Sequence, residues 1–125
     1  MKKTPLFMLL LILILAACSK QISLSGESKH WEGRYIANID GNREDGNFIF
    51  GYKNANKQTE FKNLNVEIKN GLGKTVKNEE QHKGATKTIN RSCSGCAVTD
   101  ETQTLKVTIK WNEKYEETFD MKKKK

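Results

Sequence analysis

The stretch from residue 105 to residue 121 constrains the fold most, because apolar side chains recur there at every second position. The apolar residues of this stretch all have odd numbers: Leu105, Val107, Ile109, Trp111, Tyr115, Phe119 and Met121. A period of two predicts two strands that each bury one face. Both faces can reach one core only if the connecting loop has an odd number of residues, which predicts the loop 112–114. In that register Lys110 lies opposite Glu116, and Lys106 lies opposite Asp120.

Shorter runs with the same alternation precede this hairpin. Apolar residues occupy odd positions in 31–39, aromatic residues occupy even positions in 48–52, and aliphatic residues occupy even positions in 64–68. Phe61 breaks the parity of the third run, which predicts a β-bulge near Lys62 or packing of the ring under a loop.

Residues 76–84 show no clear periodicity. They are interpreted as a mobile loop or as a short helical turn that Asn78 would cap. A short strand is expected at 86–90, just before the last two cysteines.

These runs predict an all-β domain of six to eight short strands, since no convincing amphipathic helix is found between them. The only proline is Pro5, so the turns must use glycine, asparagine and aspartate. The predicted fold class is a small antiparallel β-sandwich, with immunoglobulin-like topology favoured, or a small barrel.

The N-terminus has a different pattern, with the three zones of an export signal. Lys2 and Lys3 precede an unbroken apolar run over 6–15, which is followed by Ala16 and Ala17. This run is too short for a transmembrane helix, which needs about 20 apolar residues.

The sequence Leu15-Ala16-Ala17-Cys18 resembles the lipobox of bacterial lipoproteins. The resemblance implies that the sulfur of Cys18 receives a diacylglycerol and that residues 1–17 are removed. An anchor with two acyl chains holds a protein stably at a membrane. The alternative is an ordinary secretory signal that happens to end at a cysteine.

The chain beyond Cys18 is similar to small β-rich lipoproteins of Gram-positive bacteria of the Bacillus type. The similarity lies in the fragments S-G-E-S, W-E-G-R-Y and V-T-I-K-W-N-E-K-Y-E-E-T-F. It implies a location at the cell surface and a sandwich-like domain, and it brings no catalytic residue.

The predicted organisation has four parts. Residues 1–17 are the lipoprotein signal, 18–29 are the lipidated cysteine with a flexible tether, 30–121 are the β-sandwich domain, and 122–125 are a polybasic tail. A tether of this length would have a root-mean-square reach of about 16–19 Å. In the alternative, Ile22 and Leu24 in the tether begin a first edge strand.

Cys93 and Cys96 are predicted to form a structural disulfide, because an exported protein meets an oxidising environment. One alternative is a thiol-disulfide exchange site of the C-x-x-C type. Another is half of a zinc site that His30 and His82 would complete, although their spacing is not typical of zinc ligands.

No catalytic constellation is found, so we predict a non-enzymatic protein without a cofactor or metal. His30 and His82 are interpreted as surface residues. The cluster of Asp40, Glu44 and Asp45 lacks the spacing of a twelve-residue calcium loop and is interpreted as a solvated turn.

Four aromatic residues could form a stacking platform for glycans, but their alternation with polar neighbours favours the core. They are Trp31, Tyr35, Trp111 and Tyr115.

The basic net charge is only weak evidence for a nucleic-acid partner, because an exported protein seldom meets nucleic acid. The net charge is +7, and it would fall to +5 when Lys2 and Lys3 leave with the signal. No basic stretch alternates with stacking aromatic residues. The tail 122–125 is interpreted either as a contact to anionic headgroups or wall polymers or as a frayed, solubilising end.

The expected function is that of a surface lipoprotein whose β domain binds an envelope protein or polymer. The lipid on Cys18 would anchor it to the outer face of the cytoplasmic membrane, or to the outer membrane in a bacterium with two membranes. The alternative is an extracytoplasmic thiol-disulfide oxidoreductase that uses Cys93 and Cys96.

Overall fold

Alternating apolar and polar residues form eight β-strands in the computed structural model, which describes residues 19–71 and 73–124. No helix occurs in these residues. The strands are β1 (Ser19–Glu27), β2 (Trp31–Asp40), β3 (Arg43–Tyr52), β4 (Glu60–Asn70), β5 (Gly73–Lys83), β6 (Thr86–Ser94), β7 (Leu105–Trp111) and β8 (Tyr115–Met121).

The strands form two four-stranded antiparallel sheets, with the orders β1-β2-β3-β6 and β5-β4-β7-β8. The sheets enclose one core and do not close into a barrel, so the predicted all-β sandwich is confirmed. The strand order, however, is not that of an immunoglobulin domain. Here β1, β2 and β3 are neighbours in one sheet, whereas the second and third immunoglobulin strands belong to different sheets.

The core between the sheets contains aromatic and aliphatic residues from seven of the eight strands, all except β5. Its most buried large apolar side chains are Leu24, Trp31, Tyr35, Phe50, Leu64, Val66, Leu105, Val107, Ile109 and Met121. Trp31 lies near the centre of an aromatic group, with ring centroids 5.2 Å from Tyr52 and Phe61 and 5.7 Å from Trp111.

The two sides of the sandwich differ. On one side, which we call the joined side, β1 and β8 meet in an antiparallel bridge between Ser25 and Lys122. The amide of Ser25 donates to the carbonyl of Lys122 at 2.9 Å, and the amide of Lys122 donates back at 3.0 Å. On the other side, the open side, the edge strands β5 and β6 do not pair with each other.

The structure confirms the predicted last hairpin. Leu105 pairs with Met121, Lys106 with Asp120 and Lys110 with Glu116. The three-residue loop has positive φ at Asn112 (53°) and Glu113 (63°).

Two predictions about irregular segments are wrong. Most of the predicted tether over 18–29 is strand β1, so the alternative of an edge strand is the correct one. Ile22 and Leu24 explain this difference, because both are buried in the core. Likewise, residues 76–83 continue strand β5 rather than forming a loop or a helical turn.

The broken parity at Phe61 has a local cause. Asn63 has a φ of +49°, which re-aims the chain so that Phe61 and Leu64 both face the core. This irregularity lies next to Lys62, where the sequence predicts it.

Candidate functional site

Cys93 and Cys96 form a disulfide, with their sulfur atoms 2.10 Å apart. The bond closes a turn at the end of β6, where Gly95 has a φ of +75°. The amide of Gly95 donates to the carbonyl of Asn42 at 2.9 Å, which ties this turn to the β2–β3 turn. The structural role of the disulfide stays a prediction, and Cys18 lies outside the described residues.

Each histidine contacts a glutamate. His30 Nδ1 is paired with Glu117, whose other carboxylate oxygen accepts a hydrogen bond from Ser28 Oγ at 2.6 Å. His82 Nδ1 lies 2.5 Å from Glu79 Oε2. Neither histidine lies in a cluster of three or more potential metal-ligating residues among the described residues, so the geometry does not assemble the zinc alternative there.

A buried carboxylate is the main functional group that the sequence analysis missed. Glu44 is 0% exposed and accepts hydrogen bonds from Tyr35 Oη, from the amide of Thr99 at 2.6 Å and from Thr99 Oγ1 at 2.8 Å. Arg91 Nε lies 3.4 Å from the same carboxylate. The network therefore fastens the β6–β7 connection to the first sheet.

The environment of Glu44 favours its charged form. Burial raises the pKa of a carboxyl group, but hydrogen bonds from Tyr35 and Thr99 and the nearby Arg91 outweigh it and lower the pKa of Glu44 below 4.5. Burial and the adjacent Glu44 carboxylate raise the pKa of Tyr35, so its hydroxyl stays a donor.

The interpretation of Asp40, Glu44 and Asp45 as one solvated turn is therefore wrong for Glu44. Strand β3 already begins at Arg43, and alternate side chains then point inward from Glu44. Asp45 lies on the outer face, where it accepts from Ser92 Oγ at 2.6 Å and from Arg43 Nε at 2.8 Å. The even parity that Glu44 shares with Phe48 and Phe50 was the sequence signal for its burial.

Three of the four aromatic residues considered as a glycan platform lie in the core, as predicted: Trp31, Tyr35 and Trp111. Tyr115 is an exception, because it is 47% exposed. It stacks on Trp111 at a centroid distance of 5.4 Å, at the end of the last hairpin.

The open side is lined by polar residues at positions that face inward. On β5, Thr75, Lys77 and Glu79 lie opposite the buried residues of β4. On β6, Lys87 and Arg91 occupy the corresponding positions on either side of the buried Ile89. Charged groups need water or a partner, which explains why these strands do not close the sandwich.

One half of the open side is filled by ion pairs. Lys87 Nζ lies 3.1 Å from Glu79 Oε1, so it links β6 to β5. His82 also pairs with Glu79, and its ring stacks on Phe61 at a centroid distance of 6.4 Å. This cluster covers the core beneath it.

The other half of the open side is a cleft, next to the disulfide. Its floor is apolar, and its rim is polar and basic. The floor is formed by Phe48, Ile68 and Leu105, and the rim by Asn70, Lys74, Thr75, Arg91, Cys96 and Thr99.

Positive charge at this cleft is only partly compensated. Arg91 faces the carboxylate of Glu44, whereas Lys74 and the nearby Lys77 form no ion pair with any residue that the structure describes. The cleft therefore combines an apolar floor with cations that can bind an anionic group. Sequence analysis missed this site because its residues come from separate strands of both sheets.

Comparisons with known proteins give no family for this chain: no protein-family model, no curated protein and no solved structure matches it. In the part of the chain that the structure describes, no helix is long and apolar enough to cross a membrane.

Proposed function

We propose that this protein is a surface lipoprotein, anchored by a diacylglycerol on Cys18, whose β domain binds an anionic polymer of the cell envelope. The anchor rests on the resemblance of Leu15-Ala16-Ala17-Cys18 to a lipobox. It would hold the domain at the outer face of the cytoplasmic membrane, or at the outer membrane of a bacterium that has two membranes.

The observation that supports binding is the basic cleft of the open side. Inward charges on edge strands also prevent sheets from pairing edge to edge, and that role accounts for the Glu79–Lys87 pair. It does not account for Lys74, on the rim of the cleft, or for the nearby Lys77 on β5, since both lack an acidic partner among the described residues. The floor beside Lys74 is apolar. An anionic polymer with apolar segments matches both properties.

The anchor is tested by fractionation of cells that express the wild type or Cys18→Ala. We expect the wild type in the membrane fraction, with a diacylglycerol on its N-terminal peptide in mass spectrometry, and the variant in the soluble fraction. A wild-type protein released with a lipid-free N-terminus would contradict the anchor.

Binding is tested with the acylated protein in phosphatidylcholine vesicles and isolated polyglycerol phosphate as the probe. We expect Lys74→Glu with Lys77→Glu to abolish co-sedimentation of the probe. The matched control is Lys29→Glu with Lys57→Glu. These two residues lie away from the cleft, and their substitution changes the net charge by the same amount. Equal loss in both variants would mean nonspecific attraction, whereas retention in both would exclude the cleft.

The alternative, a thiol-disulfide oxidoreductase, is tested by the reduction potential of the Cys93–Cys96 pair. A structural bond has a potential below about −300 mV. A more oxidising value, together with loss of disulfide exchange in Cys93→Ser, would favour the enzyme.

A further inference from the structure

Four chain segments meet at one end of the sandwich, which we call the disulfide end. The β-ladders connect them directly: Ser19 pairs with Asp40, Asp40 pairs with Arg43 across the β2–β3 turn, and Arg43 pairs with Ser94 beside the disulfide. The fourth segment is the β6–β7 connection, which carries Glu101.

One C-terminal lysine also reaches the disulfide end. Lys122 pairs with Ser25 in an antiparallel bridge, and the side chain of the next residue, Lys123, extends to the β6–β7 connection. Lys123 and Lys20 both contact Glu101 Oε1, at 3.5 and 3.4 Å. Lys124 does not follow them, because it is exposed and lies near Ser25, Gly26 and Glu27, towards the other end of β1.

Strand β1 begins immediately after the residue that would carry the lipid. Ser19 is already hydrogen-bonded into the first sheet opposite Asp40, so no flexible tether separates Cys18 from the domain. A strand rises about 3.3 Å per residue, which leaves the disulfide end within a few ångströms of the lipidated position.

We infer that the disulfide end lies against the phospholipid headgroups and that the strands stand away from the bilayer. This inference rests on the proposed anchor at Cys18. Lys20 and Lys123, which share Glu101 at this end, add basic groups there, and anionic headgroups attract basic groups near a membrane. The basic cleft then opens sideways, close to the membrane surface.

The orientation is tested with the acylated protein in vesicles of phosphatidylglycerol and phosphatidylethanolamine that carry a nitroxide on a fraction of their headgroups. A fluorophore is attached through an azide-bearing amino acid at Asn42, in the β2–β3 turn, or at Lys57, in the exposed loop at the opposite end. Strand β3 separates these loops by about 30 Å, the length of ten residues. We expect quenching to be several-fold stronger at position 42.

A variant with ten glycine and serine residues inserted between Cys18 and Ser19 is the control. Such a linker has a reach of about 16–19 Å, so it would release the domain and make quenching at the two positions similar. Equal quenching without the linker would overturn the orientation alone. An unchanged difference with the linker would support it, with the basic groups rather than the short connection holding this end at the headgroups. Absence of a diacylglycerol on Cys18 in the same preparation would overturn the anchor and the orientation together.

Discussion

The joined side and the open side of the sandwich solve the same packing problem in different ways. On the joined side, Gly26 lets two backbones approach closely, because a Cβ atom there would lie 1.9 Å from the carbonyl oxygen of Asp120. Leu24 and Met121 are fully buried beside this junction. Backbone hydrogen bonds and apolar burial therefore close this side.

On the open side, charged residues occupy positions where a closed sandwich would have apolar ones. Glu79 is held by Lys87 and His82, and Arg91 is held by Glu44, so half of the gap is filled by polar contacts and half remains a cleft. Backbone pairing and apolar burial thus close the sandwich at β1 and β8, whereas charged groups and a cleft lie between β5 and β6. Substitutions on the two sides should therefore differ in their effects on unfolding.

The largest difference is expected for apolar truncations. Leu24→Ala on β1 removes a fully buried side chain and should lower the free energy of unfolding by about 2–5 kcal/mol. Val76→Ala on β5 removes a side chain that is 43% exposed and should change it by at most about 0.5 kcal/mol. Urea titration of both variants measures the two values. A small effect of Leu24→Ala would mean that β1 is not part of the stable core.

A smaller difference is expected for the glycines. Gly26→Ala should cost about 3 kcal/mol, the upper end for overpacking, because a backbone oxygen must move. Gly73→Ala, at the start of β5, meets no atom within 4 Å and should have little effect on the unfolding free energy. If the two variants unfolded at the same urea concentration, the close approach of β1 and β8 would not be a stabilising contact.

The sequence predicts best where alternation is strong and local. Residues 105–121 specify both their strands and their register, because parity fixes which residues share a face. The tether prediction failed for the opposite reason: Ile22 and Leu24 are only two apolar residues in a polar segment, and they form a strand because β2 and β8 supply partners. Strand β5 likewise gains its structure from β4 rather than from its own pattern.

The candidate site was harder to predict than the fold. Its residues lie on β3, β4, β5, β6, β7 and the β6–β7 connection, and only the strand order brings them together. Glu44 was the recoverable part, since it has the parity of Phe48 and Phe50. Acidic residues near glycines usually indicate a turn, which is why Glu44 was assigned to one. In the structure the turn contains only Gly41 and Asn42.

The smallest expected effect is a loss of stability in acid. It involves two carboxylates, Glu44 in the interior and Glu79 on the open side. Burial raises the pKa of both carboxyl groups, but their partners outweigh it. Hydrogen bonds from Tyr35 and Thr99 lower the pKa of Glu44 below 4.5, and His82 and Lys87 lower the pKa of Glu79. A lowered pKa stabilises the fold fully above the ordinary value, and this stabilisation is lost as the pH falls through the lower, folded value. The wild type should therefore lose stability below about pH 4.5.

Glutamine variants at Glu44 and Glu79 measure how much of the acid-induced loss of stability comes from each carboxylate. At pH 7, Glu44→Gln should lower the free energy of unfolding by about 1.5 kcal/mol, because the buried donors lose a charged acceptor. Glu79→Gln should lower it by less than about 1 kcal/mol, since water screens a partly exposed pair. Urea titrations at pH 7 and at a series of pH values below 4.5 should show the Glu44 deficit shrinking in acid, because the unfolded wild-type chain then takes up a proton at Glu44 that the folded state resists. If the difference in unfolding free energy between the wild type and Glu44→Gln stayed constant with pH, the charge of Glu44 would not contribute to stability. The Tyr35–Glu44–Thr99 network would then stabilise the fold through packing alone.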